Sequence, residues 1–194
     1  MSGKKISFKK FKESDKTLLH ALRCCGVLST KHLKDLGVTT TRAKTLIAND
    51  IIEKHYFFNK QTQQEELIFK LSSYGKSFCE KELRYSNFYH APSAKHDLKL
   101  ADVYVSLKDE ERQTWKTETD WREAYNSRYR YEYEMLRQYS EHSISAFDYS
   151  YINSHGIEIC REIITDSYSA EDEASKDRFA EAMDVKLEKT DIKN

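Results

Sequence analysis

The chain has 194 residues, of which 39% are hydrophobic and 33% are charged, so it can bury the core of one generous domain or of two small ones. It contains five glycines and one proline and no run of about 18 apolar residues, which excludes a glycine-rich phosphate-binding loop and a transmembrane helix. Its four cysteines form no CxxC pattern, which argues against a structural zinc site and predicts a cytoplasmic protein with reduced thiols.

The net charge of zero conceals an asymmetry along the chain. Residues 1–84 contain 17 lysines and arginines against 9 acidic residues, whereas residues 85–194 contain 15 against 23. A basic module of this kind suits nucleic acid, and it is joined to an acidic module. The segment 85–93 holds the only proline and no Lys, Arg, Asp or Glu, which predicts a linker there. Residues 1–14 are interpreted as a basic arm.

The segment 15–84 predicts three short helices followed by a β-hairpin. Apolar residues recur at helical spacing in three stretches: 15–25, 29–36 and 39–48. Two aromatic and aliphatic runs, EKHYFFN and EELIFKL, flank a polar loop and predict the hairpin, and a helix over 73–83 follows it. This order is that of a winged helix-turn-helix, in which the third helix enters the major groove and the hairpin lies beside the phosphates.

The third predicted helix and the hairpin carry the residue types that such a module uses on DNA. Threonine contacts thymine methyl groups or phosphates, arginine pairs with guanine, and lysine contacts the phosphate backbone. The candidate DNA-binding residues are Thr41, Arg42, Lys44, Thr45, Lys54 and Lys60. The alternative is a packing or dimerisation module with ordinary solvated charges, and the local positive charge favours duplex DNA.

The segment 94–190 predicts a small α/β domain, so that the whole chain is expected to be α+β. Its predicted elements are a helix over 93–108, a strand over 113–119, a segment over 121–139 that fits a helix better than a strand, a hairpin with strands over 143–152 and 156–165, a helix over 169–183 and an edge strand over 185–188. The sequence NSHG supplies the turn of the hairpin.

This order of elements matches the core of the PD-(D/E)XK nuclease-like fold. Asp148 lies in the first strand of the predicted hairpin and Glu162 in the second, so the two carboxylates can converge on one Mg²⁺ ion. In that fold a lysine two residues after the second acid positions the attacking water, and Ile164 stands there instead. We therefore expect a non-catalytic domain without a cofactor, with Asp148 and Glu162 as the metal ligands and catalytic acids if the domain is a nuclease.

Tyrosines and arginines are interleaved over 125–139 of the acidic domain. Both residue types are enriched at protein interfaces, which predicts contact with a protein partner. The candidate contact residues are Tyr125, Tyr129, Arg130 and Tyr133. Stacking of single-stranded bases on the same tyrosines is the alternative.

Four stretches of the chain resemble the replication-relaxation family of Gram-positive plasmids, phages and integrative elements: KHDLKLADVYVSL (95–107), TWKTETDWR (114–122), AFDYSYI (146–152) and EIITDSYSAEDEASKDRFAEAM (162–183). The family is described as an N-terminal winged helix followed by a nuclease-like α/β domain, and the resemblance runs from about residue 15 to residue 188. The usual Pro-Asp pair of the family is Phe147-Asp148 here. This departure and the missing lysine argue against cleavage.

The resemblance implies a DNA-binding protein of a mobile element that acts in replication, transfer or its regulation. Its expected partners are double-stranded DNA and a protein, such as a basic nucleic-acid-binding protein; a homodimer is compatible with this prediction, and no membrane is expected. Two alternatives stay open. One is a protein-directed inhibitor or regulator, such as an anti-CRISPR protein or a repressor, that binds its target by charge complementarity. The other is a metal-dependent nuclease.

Overall fold

The computed structural model describes residues 11–59, 63–89, 93–131, 144–165 and 168–191. The chain is an α+β protein, which confirms the predicted fold class, and it divides into two compact units, residues 1–107 and 108–194. No helix among the described residues combines the length and the apolar character that a bilayer span requires.

The first unit begins with three helices and a three-stranded antiparallel sheet. The helices are α1 (Glu13–Cys25), α2 (Thr30–Asp35) and α3 (Thr40–Ala48), and the strands are β1 (Leu28–Ser29), β2 (Ile52–Asn59) and β3 (Gln64–Leu71). The strand order is β1-β3-β2, with β3 in the centre and β2 at an edge. The three helices and the hairpin predicted from the sequence are therefore present.

Local signals in the sequence set the ends of α2 and α3. The Ser29 hydroxyl oxygen accepts a hydrogen bond from the backbone N–H of His32, and the Thr39 hydroxyl oxygen accepts one from that of Arg42. Each cap satisfies an amide that has no partner within its helix. Gly37 follows α2 with a φ of 73°, a conformation that a residue without Cβ adopts at little steric cost.

Helix α4 (Ser73–Phe78) follows the hairpin and continues into a π-helical turn (Cys79–Leu83), in agreement with the helix predicted over 73–83. It passes so close to the chain ahead of β2 that a Cβ atom on Gly75 would lie 1.9 Å from the carbonyl oxygen of Ile51. The Ser72 hydroxyl caps α4 by accepting from the N–H of Gly75 at 2.8 Å, and it also donates to the carbonyl of Asp50.

Helix α5 (Ala94–Ser106) packs on the first unit, so the units divide after Leu107 rather than at the linker predicted over 85–93. The helix contacts α1, α2 and β1, and its Tyr104 hydroxyl lies 2.6 Å from Nδ1 of His20. Its Asp102 carboxylate lies 3.1 Å from Nε2 of the buried His32. The domain predicted to begin at residue 94 therefore lacks its first helix.

The second unit is built on a four-stranded sheet with order β4-β5-β6-β7. Its elements are α6 (Asp109–Gln113), β4 (Lys116–Thr117), α7 (Glu118–Arg128), β5 (Tyr149–Ile152), β6 (Glu158–Ile164), α8 (Ala170–Met183) and β7 (Leu187–Asp191). Neighbouring strands are antiparallel except β6 and β7, which α8 connects as a parallel pair. The predicted hairpin, last helix and edge strand are present, but the first strand of the hairpin, predicted over 143–152, begins only at Tyr149.

Two predictions for the second unit need correction. The strand predicted over 113–119 is reduced to β4, because Thr117 begins a helix instead. The Thr117 hydroxyl oxygen accepts from the N–H of Asp120, and the Asp120 carboxylate accepts from the N–H of Thr117 at 2.8 Å. This reciprocal capping box starts α7. The helix predicted over 121–139 is present to Arg128, and 132–143 lie outside the described residues.

Candidate functional site

Helix α3 presents polar side chains on the side opposite its buried residues. Thr41 and Lys44 are exposed, whereas Ala43 and Leu46 are buried in the core of the first unit. Thr45 is half-buried, and its hydroxyl donates to the carbonyl of Thr41 at 3.0 Å. The exposed face of α3 therefore includes the Thr41 hydroxyl and the Lys44 ammonium group.

Arg42 on α3 has a structural role that the sequence did not reveal. Its Nη2 lies 2.6 Å from Oδ2 of Asp15, and its Nε donates to the same carboxylate at 2.9 Å. The Asp15 side chain is completely buried in α1, and hydrogen bonding to it raises the pKa of Arg42. The pair fixes α3 to α1, which corrects the expected contact of Arg42 with a base.

The hairpin carries the second part of the predicted DNA surface. Lys54 is exposed on β2, as a contact to a phosphate requires, and Lys60 lies outside the described residues. Tyr56 and Phe58 follow Lys54 on the same face of the strand, since alternate residues share a face. They are 60% and 54% exposed, respectively.

The boundary after Leu107 preserves the charge asymmetry between the units. Residues 1–107 contain 19 lysines and arginines against 11 acidic residues, and residues 108–194 contain 13 against 21. The first unit therefore carries a net charge of +8 and the second a net charge of −8. A net positive unit attracts a polyanion at long range, while the second unit repels it.

The two acids predicted to converge do so in the second unit, and both are buried. Asp148 comes directly before β5, and Glu162 lies on the neighbouring β6. The N–H of Asp148 donates to Oε2 of Glu162 at 2.8 Å, and the N–H of Ile163 donates to Oδ2 of Asp148 at 2.7 Å. Each carboxylate thus binds the backbone of the other strand and ties the start of β5 to β6.

A lysine on α8 completes this cluster. Lys176 Nζ lies 3.1 Å from Oε1 of Glu162 and donates to the carbonyl of Ala146 at 2.6 Å. The Tyr168 hydroxyl donates to the same Glu162 oxygen at 2.5 Å. Helix α8 therefore brings to the acids the cation that Ile164 cannot supply.

Burial, and after it the neighbouring Asp148 carboxylate, raise the pKa of Glu162 from its ordinary value of 4.5 to about 7. The Lys176 ammonium and the Tyr168 hydroxyl act in the opposite direction. Burial, followed by the charges of Glu162 and Asp148, raises the pKa of Tyr168. Because that pKa is raised, Tyr168 keeps its proton and donates a hydrogen bond to Glu162.

We expect the protein to lose stability relative to a Glu162→Gln variant as the pH rises from 4.5 to about 7. The folded state binds the Glu162 proton more tightly than the unfolded state does. The resulting stabilisation is complete below the unfolded pKa and is lost as the pH passes the folded pKa. Urea unfolding of both proteins at stepped pH measures the difference in free energy of unfolding. If the stability of the unsubstituted protein relative to Glu162→Gln stays constant or increases as the pH rises, the raised pKa of Glu162 is contradicted.

The cluster fits an internal cation better than an added metal ion. Both oxygens of Glu162 already accept hydrogen bonds within the protein, and the Lys176 ammonium lies against one of them. Within the described part of the chain, no three His, Cys, Asp or Glu side chains come together as a metal-binding group. Mg²⁺ needs carboxylate oxygens that are open to the ion and its waters, whereas both oxygens of Glu162 accept hydrogen bonds from the protein.

The residues predicted to contact a protein partner differ in how far their side chains are exposed. Tyr125 is only 3% exposed and packs against Phe179 in the core, which corrects its expected place on a contact surface. Tyr129 is half-buried, and its hydroxyl donates to the carbonyl of Ala182 at 2.8 Å. Arg130 is exposed, and Tyr133 lies outside the described residues. Of the three described residues, Arg130 alone presents its side chain fully to a partner.

Sequence reasoning missed two residues of these clusters: Asp15 and Tyr168. Only the position of Asp15, directly ahead of the apolar stripe of α1, hinted at its burial. Tyr168 directly precedes the cap of α8, and no pattern in the sequence marks it. Lys176 lies one turn before the buried Phe179 and Ala180, so helical spacing placed it near the inward face of α8.

Comparisons of the chain with models of protein families, with curated proteins and with solved structures find no match. The resemblance to the replication-relaxation family therefore stays a prediction.

Proposed function

We propose that the first unit is a winged-helix module that binds duplex DNA, with α3 in the major groove and the β2–β3 hairpin beside the phosphates. The carrying observation is the order α1-β1-α2-α3-β2-β3 with the sheet order β1-β3-β2, which leaves the Thr41 and Lys44 face of α3 exposed. A recognition helix needs such an uncovered polar face. The net charge of +8 supports a polyanionic ligand.

The residues divide by role in this proposal. Thr41 contacts base edges, Lys44 and Lys54 contact phosphates, and Arg42 stabilises the module through Asp15. The acidic second unit acts as a non-catalytic platform for a protein partner. Because the sequence resembles the replication-relaxation family, we propose that the protein acts in the replication or transfer of a mobile element, or in the regulation of these processes.

The test is fluorescence anisotropy of the full chain with labelled duplex DNA at stepped salt concentrations. Affinity falls steeply with salt if lysines and arginines release counterions from the DNA. We expect Lys44→Ala to weaken binding to all sequences and to lower the slope of log affinity against log salt by about 1. Thr41→Ala reduces the preference among sequences instead.

Lys186→Ala is the matched control, because Lys186 is exposed in the acidic unit. It is expected to leave both the affinity and the salt slope unchanged. Absence of binding at low salt, or binding that salt does not affect, would refute the proposal. An equal loss in the Lys186→Ala variant would show that the attraction is not localised on the first unit.

A metal-dependent nuclease is the second candidate, and the contact between Lys176 and Glu162 favours it. A lysine beside the second acid is what the nuclease-like core needs for its attacking water. Against it stand the burial of Asp148 and Glu162 and the hydrogen bonds that both oxygens of Glu162 and Oδ2 of Asp148 accept. In the binding samples supplemented with Mg²⁺ or Mn²⁺ we therefore expect intact DNA. Cleavage that is lost in Asp148→Asn and Glu162→Gln would establish the nuclease instead.

A further inference from the structure

Strand β2 is an eight-residue edge strand that is largely open to solvent. Residues 53–56 and 58 are exposed. Among the described residues, the backbone of 53–58 makes no backbone hydrogen bond outside its ladder with β3. In an antiparallel ladder, half of the N–H and C=O groups of an edge strand point outward. Strand β2 thus presents a row of donors and acceptors that matches another strand.

Edge strands of natural proteins are usually protected from such pairing by prolines, bulges, shortness or charged side chains. Strand β2 pairs with β3 without a bulge over all eight residues, and it contains no proline. Its charged residues are Glu53 and Lys54, at one end. The other end carries Tyr56 and Phe58, which are 60% and 54% exposed. This composition is typical of an edge strand that pairs with another strand in the functional protein.

We propose that β2 pairs with β2 of a second copy of this chain, antiparallel and centred on Tyr56, to form a two-fold symmetric dimer. In this arrangement Tyr56 lies opposite Tyr56 of the second copy, and Lys54 lies opposite Phe58 of the second copy, twice by symmetry. On the other face His55 lies opposite Phe57, and Glu53 lies opposite Asn59.

The sequence of β2 is complementary to itself in this register. No two like charges are directly opposite each other, which would destabilise a strand pair. The central Tyr56 pair supplies an aromatic contact, and the alkyl stem of each Lys54 packs on Phe58 of the second copy while its ammonium group stays available to a phosphate. The two three-stranded sheets join into one six-stranded sheet, which removes both exposed edges at once. A second copy is therefore the occupant that the residues of this edge fit.

The test is the mass of the full chain in solution, measured without DNA by sedimentation or light scattering over a range of concentrations. The unsubstituted protein is expected to be a dimer. Tyr56→Glu and Tyr56→Lys each place two like charges at the centre of the pair, so each variant alone is expected to be a monomer. An equimolar mixture of the two variants is expected to recover a dimer, because opposite charges then meet.

Ile157→Glu is the control, since Ile157 is an apolar residue of the second unit that is 58% exposed. Its mass is expected to equal that of the unsubstituted protein. A monomeric unsubstituted protein would overturn the proposal. So would a dimer that survives both Tyr56 substitutions, or a mixture of the two variants that stays monomeric. Because no DNA is present, the result is independent of the proposed DNA binding.

Discussion

Replacement of Lys176 by methionine is expected to lower the free energy of unfolding by about 2–3 kcal/mol at pH 8. At this pH Glu162 is ionised, because its pKa is about 7. Methionine keeps much of the side-chain volume but removes the ammonium that lies 3.1 Å from Glu162 and donates to Ala146. Without this cation Glu162 takes up a proton at a cost in free energy, and the carbonyl of Ala146 loses the donor that Lys176 provides. Urea unfolding of the full chain measures the loss.

Two further variants separate this effect from a general loss of packing. The double variant Glu162→Gln, Lys176→Met is expected to recover part of the free energy of unfolding that Lys176→Met loses, because residue 162 then carries no charge that needs a partner. Lys189→Met removes an exposed lysine that lies 2.8 Å from Asp177, and it is expected to cost less than about 1 kcal/mol. A Lys176→Met loss as small as that of Lys189→Met would show that the cluster does not stabilise the second unit.

Substitution of Gly75 by alanine is expected to destabilise the first unit by about 3 kcal/mol or more. The new Cβ atom would lie 1.9 Å from the carbonyl oxygen of Ile51, which is backbone and cannot rotate away as a flexible side chain could. To relieve the clash, α4 must move away from the chain ahead of β2. Since Ser72 joins α4 to Asp50 and Ile51, that movement also weakens its hydrogen bonds.

Gly37→Ala provides the matched control for the Gly75 substitution. Gly37 has a φ of 73°, and nothing lies within 4 Å of the position that its Cβ would take. The substitution therefore incurs the cost of left-handed backbone alone, about 1–2 kcal/mol. Thermal or urea unfolding that shows equal losses for the two variants would mean that close approach is not what requires glycine at residue 75.

Sequence patterns among neighbouring residues predicted most of the helices and strands of this fold. The caps Ser29, Thr39 and Ser169 stand next to the first helical turn they stabilise, so a single sequence reveals them. The hairpins are similarly marked by the polar residues between two apolar runs. The domain boundary was harder to predict. Pro92 and the uncharged segment around it suggest a linker, but they do not indicate which of the two cores the following helix, α5, packs against.

The candidate site was only partly predictable, because some of its contacts join residues that are far apart in the sequence. The spacing of Asp148 and Glu162 about a turn indicated that the two carboxylates would meet, since paired strands fix their register. The partner of Arg42 lies 27 residues away in the sequence, and Lys176 reaches Ala146 across 30 residues. Such contacts depend on how whole elements pack. The tyrosine-rich surroundings of Tyr125 favour a contact surface, whereas its helical spacing from Trp121 indicates the core position that it occupies.

The membership of α5 in the first unit affects how the protein folds during its synthesis. All the elements of the first unit have emerged once Leu107 leaves the ribosome, so this unit can complete its core while the rest is still being translated. The second unit cannot close its sheet in this way, because β6 acquires its parallel neighbour only when β7 (Leu187–Asp191) has been made. We therefore expect the basic half of the protein to fold before the acidic half exists as a folded body.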